Sequence, residues 1–321
     1  MKNILITGGV GFIGSNLVNH FLKKKIKVTV IDDLSIGSKK NLKLANISFY
    51  KKDIIKINQI PINKRFDALI HLAAKAEILI TKEKENIYSN SNIFGLQSVL
   101  NFAASRKIKK FIFASSASIY GNTGNKKVNE ETKSNPKHFY AYSKYLGEEM
   151  VKEYCKINAI NFTILRFFNI YGPSSNAVVA KFIAQKAQSK KITIFGNGKQ
   201  KRDFLHVDDL SRAIYKCLKL KKSINKIYNL GSGKATSILD LKKMISQKKN
   251  HIFLPKRNDD IEISISDITK IKKDLNWYPI IDFKNGIKKL IDQEKKRPTK
   301  FKLPSIDSQK KLIEKFNKNS L

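Results

Sequence analysis

The chain has 321 residues, 41% of them hydrophobic, enough to bury a large core in one or two domains. Lys and Arg total 63 against 26 Asp and Glu, for a formal net charge of +37. The basic residues are scattered from Lys2 to Lys318 with no interleaved aromatic ladder, which argues against nucleic acid as the primary partner, and no apolar run is long enough to span a membrane.

The N-terminus opens on a strand-like Ile4-Leu5-Ile6 and not on a signal peptide, so a cytoplasmic protein is expected. Strands are expected at 3–7, 27–31, 47–50, 68–72, 110–114 and 161–167, with helical segments at 14–24, 87–106 and 140–158 between them. This alternation predicts a Rossmann-type doubly wound parallel sheet flanked by helices. Beyond Gly172-Pro173 the pattern loosens into a helix at 178–189, a strand at 192–195 and a helix at 207–220. Ile227-Tyr228-Asn229-Leu230 is expected to return to the sheet. The expected division is a Rossmann domain over 1–172 with a returning segment near 203–232. A smaller C-terminal α/β substrate domain takes 173–202 and 233–293. The Lys-rich tail at 294–321, with Pro298 and Pro304, has the composition of a partly disordered segment. Lysine pairs such as Lys109-Lys110 and Lys242-Lys243 read as solvated. Cys155 and Cys217 are too few for a disulfide framework or structural zinc, and read as buried filler; no metal site is expected.

Residues Ile4 to Gly14 run Ile-Leu-Ile-Thr-Gly-Gly-Val-Gly-Phe-Ile-Gly: a strand, a turn with Gly8, Gly11 and Gly14, then a helix. Glycines so spaced permit a tight turn, close approach of backbone to a pyrophosphate, and close helix–strand packing. The N-terminus of the helix, with Phe12 and Ile13 in its first turn, offers N–H groups and partial positive charge to phosphate. The second strand ends at Asp32, 18 positions beyond Gly14. A carboxylate there accepts from ribose hydroxyls and repels a 2′-phosphate, so NAD is favoured over NADP. Asp32 as a plain turn former ahead of Asp33 is the weaker reading, given those glycines.

Ser115-Ser116 ends another strand, and Tyr140-Ala141-Tyr142-Ser143-Lys144 opens a helix, placing Tyr140 and Lys144 on one helical face. An ammonium beside a phenol is expected to lower its pKa from about 10, suiting it to take a proton from a sugar hydroxyl. Taken in order, these elements resemble the extended short-chain dehydrogenase/reductase family, above all its nucleotide-sugar epimerases of the UDP-glucose 4-epimerase type. The resemblance extends over residues 1 to about 290 through Asp53-Ile54, His71-Leu72-Ala73-Ala74, Asn92-Ile93-Phe94-Gly95, Arg166-Phe167-Phe168-Asn169-Ile170-Tyr171-Gly172-Pro173, Arg202-Asp203-Phe204 and Tyr228-Asn229-Leu230-Gly231.

The resemblance implies Tyr140 as acid/base, Lys144 on the nicotinamide ribose and Ser116 on the reacting oxygen. It implies Asp53 and Ile54 flanking adenine, Leu72, Ala73, Ala74 and Lys75 along the cofactor channel, and Asn92 supporting the nicotinamide side. Asn169 would touch the substrate phosphates or sugar, and Arg202 and Arg257 would clamp the pyrophosphate, for which a planar fork of donors is suited. Ser264 falls near the position that gates the sugar's C2 side, where a small residue leaves room for an N-acetyl group. Two departures stand out. The segment after Pro173 is short, and the family's Arg-x-Gly-Asp reads Arg257-Asn258-Asp259-Asp260, with an extra carboxylate expected to weaken the clamp unless Asp259 points away.

The acidic residues that dehydratases of this family place just after the catalytic Ser or Thr are Ala117 and Ser118 here. That points to 4-epimerisation of a UDP-hexose or UDP-N-acetylhexosamine with tightly held NAD. An NAD-linked reductase, dehydrogenase or dehydratase of the same family is the alternative. A non-enzymatic nucleotide-binding scaffold would leave Ser116, Tyr140 and Lys144 without purpose. The two long helices at 87–106 and 140–158 suggest a homodimer.

Overall fold

The computed structural model describes residues 2–42, 47–76, 85–258, 260–296, 298 and 303–319. Its first half runs β1 (Asn3–Thr7), α1 (Phe12–Lys23), β2 (Lys27–Asp32), β3 (Ser48–Lys51), β4 (Ala68–His71) and α2 (Glu85–Ser89). A single π-helical turn at Asn90–Phe94 joins α2 to α3 (Gly95–Ser105), and β5 (Lys110–Ser116), α4 (Phe139–Ile157) and β6 (Asn161–Phe167) follow. The second half contains β7 (Asn169–Tyr171), α5 (Val178–Ala187), β8 (Ile192–Phe195), β9 (Lys201–His206), α6 (Val207–Lys219) and β10 (Lys226–Leu230). After these come β11 (Ala235–Ser237), α7 (Ile238–Ile245), β12 (His251–Leu254), β13 (Ile263–Ser264), α8 (Thr269–Leu275), α9 (Phe283–Lys296) and α10 (Ile306–Asn319).

Seven strands form one parallel sheet in the order β10-β6-β5-β4-β1-β2-β3. Its strands are nearly continuous apolar runs because both faces are covered. On one side Leu17 and Phe21 of α1, Leu210 and Ile214 of α6, and Trp277 pack on Ile4, Ile6, Val30 and Ile70. On the other, Leu96 and Leu100 of α3 and Val151 and Cys155 of α4 pack on Leu5, Leu69 and Phe113. The direction of winding reverses between β1 and β4, which opens a crevice at the carboxyl ends of those strands, where doubly wound sheets bind ligands.

The second sheet has β9 between β11 and β13, with β7 paired to the later residues of β9, while β8 and β12 form a separate parallel pair. Tyr171, Phe182, Ile194, Phe204, Leu241 and Ile287 form the core of this region. As expected, β10 returns to the large sheet beside β6. The segment at 203–206 does not return with it, because β9 lies in the small sheet, as does β7.

Two expectations need correction. The tail carries α10, with Ile313 fully buried and Phe316 7% exposed, so two apolar side chains dock a lysine-rich helix. Each lysine pair holds one buried member. Lys110 donates to the Cys217 and Leu218 carbonyls and to Ser223, and Lys242 donates to the Lys248 carbonyl at 2.5 Å. Both cysteines are buried, and burial pushes each thiol up to about 12. Among the described residues no helix is long and apolar enough to cross a membrane.

Candidate active site

The glycine turn after β1 is held by main chain. Gly8 has φ +72°, and a Cβ there would meet Ala73 N at 2.6 Å, so the Leu72–Ala73 segment leaving β4 lies against the turn. A Cβ on Gly14 would meet the Gly8 carbonyl oxygen at 2.1 Å. Gly11 differs: its Cβ would meet only that oxygen, at 3.5 Å. The protein itself has room for a side chain at Gly11, so its own packing does not require glycine there. Gly11 is also the N-cap of α1 and supplies no capping side chain, and no acidic residue occupies the first turn, which begins with Phe12 and Ile13. Asp32, 7% exposed, accepts from Val10 N at 3.1 Å through one oxygen and from Leu34 N at 2.9 Å through the other. Each oxygen keeps lone pairs for ribose hydroxyls. Burial raises the Asp32 pKa and these two N–H groups oppose it. A cradle of this kind fits a dinucleotide.

Asn92, in the π-helical turn, accepts from Lys75 N at 2.8 Å and donates to the Lys75 carbonyl and to Ser143 Oγ, both at 3.0 Å. Ser143 donates in turn to the Tyr140 carbonyl at 2.8 Å, so Asn92 ties the Ala74–Lys75 loop to the start of α4. Lys75 Nζ reaches across to Ser35 Oγ at 2.7 Å. Asp53 lines a cleft with Asp33, Lys51, Lys52 and Lys56, and its carboxylate caps a short helical turn by accepting from Ile55 N at 2.9 Å. Ile54 buries its side chain in the core, leaving only its main chain to flank a ligand.

At the end of β5, Ser116 Oγ accepts from Ser118 N at 3.2 Å and Ser118 Oγ at 2.9 Å, and it hydrogen-bonds the Tyr140 hydroxyl. Lys144 Nζ donates to the Ala114 carbonyl at 2.8 Å and lies 6.0 Å from the centre of the Tyr140 ring. The three side chains therefore meet. The expected lowering of the phenol's pKa is not what this geometry gives: burial raises it, and the Ser116 hydrogen bond only partly offsets that. Burial also acts on Lys144, which is lowered to about 8 although the nearby Glu148 carboxylate opposes the shift.

Glu148 is a residue that sequence reasoning missed, although it sits one helical turn beyond Lys144. It is 1% exposed, accepts from Ser115 Oγ at 2.5 Å, and pairs with Arg166 through Nη2 at 2.7 Å and Nε at 3.0 Å. Arg166 continues to the Tyr120 hydroxyl at 2.8 Å, and Tyr120 donates to Asn229 at 2.7 Å. Lys144 and Ser116 thus rest on a fully bonded buried network.

The small sheet brings the remaining candidates together. Asn169 on β7 pairs with Phe204 of β9, two positions beyond Arg202, and Ser264 on β13 pairs with Arg202 itself. Arg202 Nη2 and Arg257 Nη2 share the Asp260 carboxylate oxygen Oδ1, at 2.6 and 2.8 Å. Asp259 lies outside the described residues. Arg257 Nε is buried without a partner, a donor that a phosphate oxygen would satisfy. A second missed residue is His138. It caps α4 by accepting from Ala141 N at 3.2 Å and stacks on Tyr140 with centroids 6.0 Å apart. Burial and, less strongly, the Arg257 charge lower it to about 4. A third is Asp203, fully buried, which accepts from Ser232, Gly233 and Ser266 and so anchors β9 to the loops around it.

Comparison with known proteins agrees with this geometry. A putative UDP-glucose 4-epimerase of Methanocaldococcus jannaschii is 34% identical over 90% of this chain and 97% of its own length. A dTDP-D-glucose 4,6-dehydratase of Dictyostelium discoideum is also 34% identical, over 76% of this chain and 62% of its own length. The UDP-glucose 4-epimerase of Thermotoga maritima, solved with UDP-glucose, superposes with a TM-score of 0.87 at 31% identity, covering 92% of this chain and 99% of that one. The NAD-dependent epimerase/dehydratase family matches residues 4–231, and the chain belongs to that family.

Proposed function

We propose that the protein is an NAD-dependent 4-epimerase of a nucleotide-activated sugar, a UDP-hexose or UDP-N-acetylhexosamine. The observation that carries epimerisation over dehydration is the stretch after Ser116. Ala117 has no acid to offer, and Ser118 spends its hydroxyl on Ser116. The nearby carboxylate of Glu148 is committed to Arg166 and Ser115. Loss of water across C5 and C6 needs an additional acid and base, and this stretch holds none able to act near neutral pH.

The large sheet would hold NAD through Gly8, Gly11, Phe12, Ile13 and Gly14 at the pyrophosphate and Asp32 at the adenosine ribose. Asp53 and the Ile54 main chain would stand at adenine, with Leu72, Ala73, Ala74, Lys75 and Asn92 along the channel. Bound NAD supplies an acceptor for a hydride that can later be returned. Tyr140 takes the proton of the sugar's C4 hydroxyl as the C4 hydrogen leaves as hydride, Ser116 holds that oxygen, and Lys144 holds the nicotinamide ribose. Arg202 and Arg257 would grip the diphosphate while the 4-keto sugar turns over, Asn169 would contact the phosphates or sugar, and Tyr140 would return its proton to the C4 oxygen as hydride comes back to the opposite face of C4. Ser264 beside Arg202 leaves room at C2 for an N-acetyl group, and Ser264→Tyr should shift preference from UDP-N-acetylglucosamine toward UDP-glucose. The cofactor would be held by the residues of the large sheet and the substrate by those around the small sheet, which includes β7 and β9. Exposed Phe94, Tyr142 and Leu146 on the α2–α3 and α4 surfaces suit a homodimer. The test of the reaction is incubation of purified protein with UDP-sugars and no added reductant. Inversion at C4, read by NMR, is expected, and its absence with every UDP-sugar would reject the proposal.

A further inference from the structure

We infer that Asn317, on the C-terminal helix α10, is a positioning residue for Arg257, so that the end of the chain sets affinity for the substrate's diphosphate. The inference rests on the reading of Arg257 as one arm of the diphosphate clamp. Asn317 bonds the residues on both sides of that arginine. Its Oδ1 accepts from Asn258 N at 3.1 Å, and its Nδ2 donates to the Lys256 carbonyl at 2.9 Å. Its own carbonyl accepts from Asn258 Nδ2 at 3.2 Å. The two hydrogen bonds from the Asn317 side chain therefore fix the backbone from which the Arg257 side chain springs, and the third adds a tie to the Asn258 side chain.

The loop needs such a brace. Arg257 lies between β12 and β13, outside regular structure, where Asp260 N reaches the Arg257 carbonyl at 3.2 Å. Its side chain has one group on Asp260 and one buried donor unspent. A clamp half committed to a carboxylate and half open to ligand loses precision if its backbone shifts by even a fraction of an ångström. α10 is firmly seated to supply the brace. Ile313, Phe316 and Asn317 fall at i, i+3 and i+4 on one face, the first two buried. Nearer its start, Gln309 Oε1 accepts from Thr193 Oγ1 of β8 at 3.2 Å, and β8 pairs with β12, which leads into Lys256.

The experiment compares full-length wild type, Asn317→Ala, Gln309→Ala and Arg257→Ala for binding of UDP by calorimetry, for KM and kcat, and for retained NAD. Asn317→Ala is expected to weaken UDP binding and raise KM about tenfold, the scale of losing well-made hydrogen bonds, with kcat and NAD content within twofold of wild type. Gln309→Ala removes a single contact of α10 about two turns from Asn317, with Ile313 and Phe316 still buried, and is expected to leave UDP affinity unchanged. Asn317→Ala binding UDP as wild type does, while Arg257→Ala binds weakly, would overturn the inference and leave the clamp standing. Equal losses in Asn317→Ala and Gln309→Ala would also overturn it, assigning the effect to helix docking in general. Unchanged UDP binding in Arg257→Ala would instead remove the clamp reading on which the inference rests.

Discussion

The two sheets hold their halves of the site in different ways. The seven-stranded sheet presents main chain: a glycine turn, a helix start and the backbone leaving β4, all fixed by parallel pairing of contiguous segments. The second sheet presents side chains from β7, β9, β13 and the loop after β12, gathered by carboxylates. Asp203 ties β9 to the Ser232 and Ser266 segments, and Asp260 ties Arg202 to Arg257. A main-chain site is insensitive to most substitutions but intolerant of a methyl group in the wrong place. A side-chain site depends on a few buried polar anchors. Under the proposed function, the first would hold the cofactor through the cycle and the second would hold a substrate that exchanges and turns.

The largest effect is expected where the two halves meet. Tyr140→Phe should lower kcat by about a hundred- to ten-thousand-fold, the range for removing a general acid–base, while leaving NAD content and the melting temperature near wild type. Next comes the anchor of the second sheet. Asp203→Ala strands buried donors on Ser266 and part-buried ones on Ser232 and Gly233, and should cost about 3 kcal/mol in denaturant unfolding. Its loss should appear in UDP affinity before NAD affinity.

Two glycines sharpen the contrast within the first sheet. Gly14→Ala forces a methyl against a main-chain oxygen and should cost about 1–3 kcal/mol of stability. Gly11→Ala meets no such obstacle and should leave the melting temperature unchanged while weakening NAD binding about tenfold. Equal destabilisation by both would mean that Gly11 serves the fold and not a ligand.

The smallest effect concerns pH. His138 is held at about 4 in the folded chain against 6.5 for a free imidazole. Between those values the unfolded chain binds a proton that the folded chain does not, so this group makes stability rise with pH from about 4 to 6.5. His138→Ser, which keeps a capping oxygen, should flatten that rise by roughly 1–3 kcal/mol relative to wild type.

The same contrast explains what was legible in the sequence. Buried parallel strands read as uninterrupted apolar runs, so β1 and β6 fall on their expected bounds, and the glycine turn, Asp32, Tyr140 and Lys144 lie in contiguous motifs. β11 and β13 are two or three residues long and half-buried, too short for a period to show, so β9's place in a separate sheet was hidden. In the tail, the apolar spacing of Leu312, Ile313 and Phe316 was a usable signal, masked by the lysines around it. The rise in the Tyr140 pKa was not readable, because spacing to Lys144 says nothing about how deeply burial penalises the phenolate. Glu148 was within reach, four residues beyond Lys144, but its partner Arg166 comes from another strand.

The most direct test of the central claim is an NMR time course of the purified protein with UDP-glucose, UDP-N-acetylglucosamine and their galacto counterparts, with absorbance of reduced nicotinamide followed in parallel. The account predicts inversion at C4 with no net build-up of reduced cofactor, abolished in Tyr140→Phe. Release of a dehydrated, decarboxylated or stably oxidised sugar, or turnover that survives in Tyr140→Phe, would contradict it.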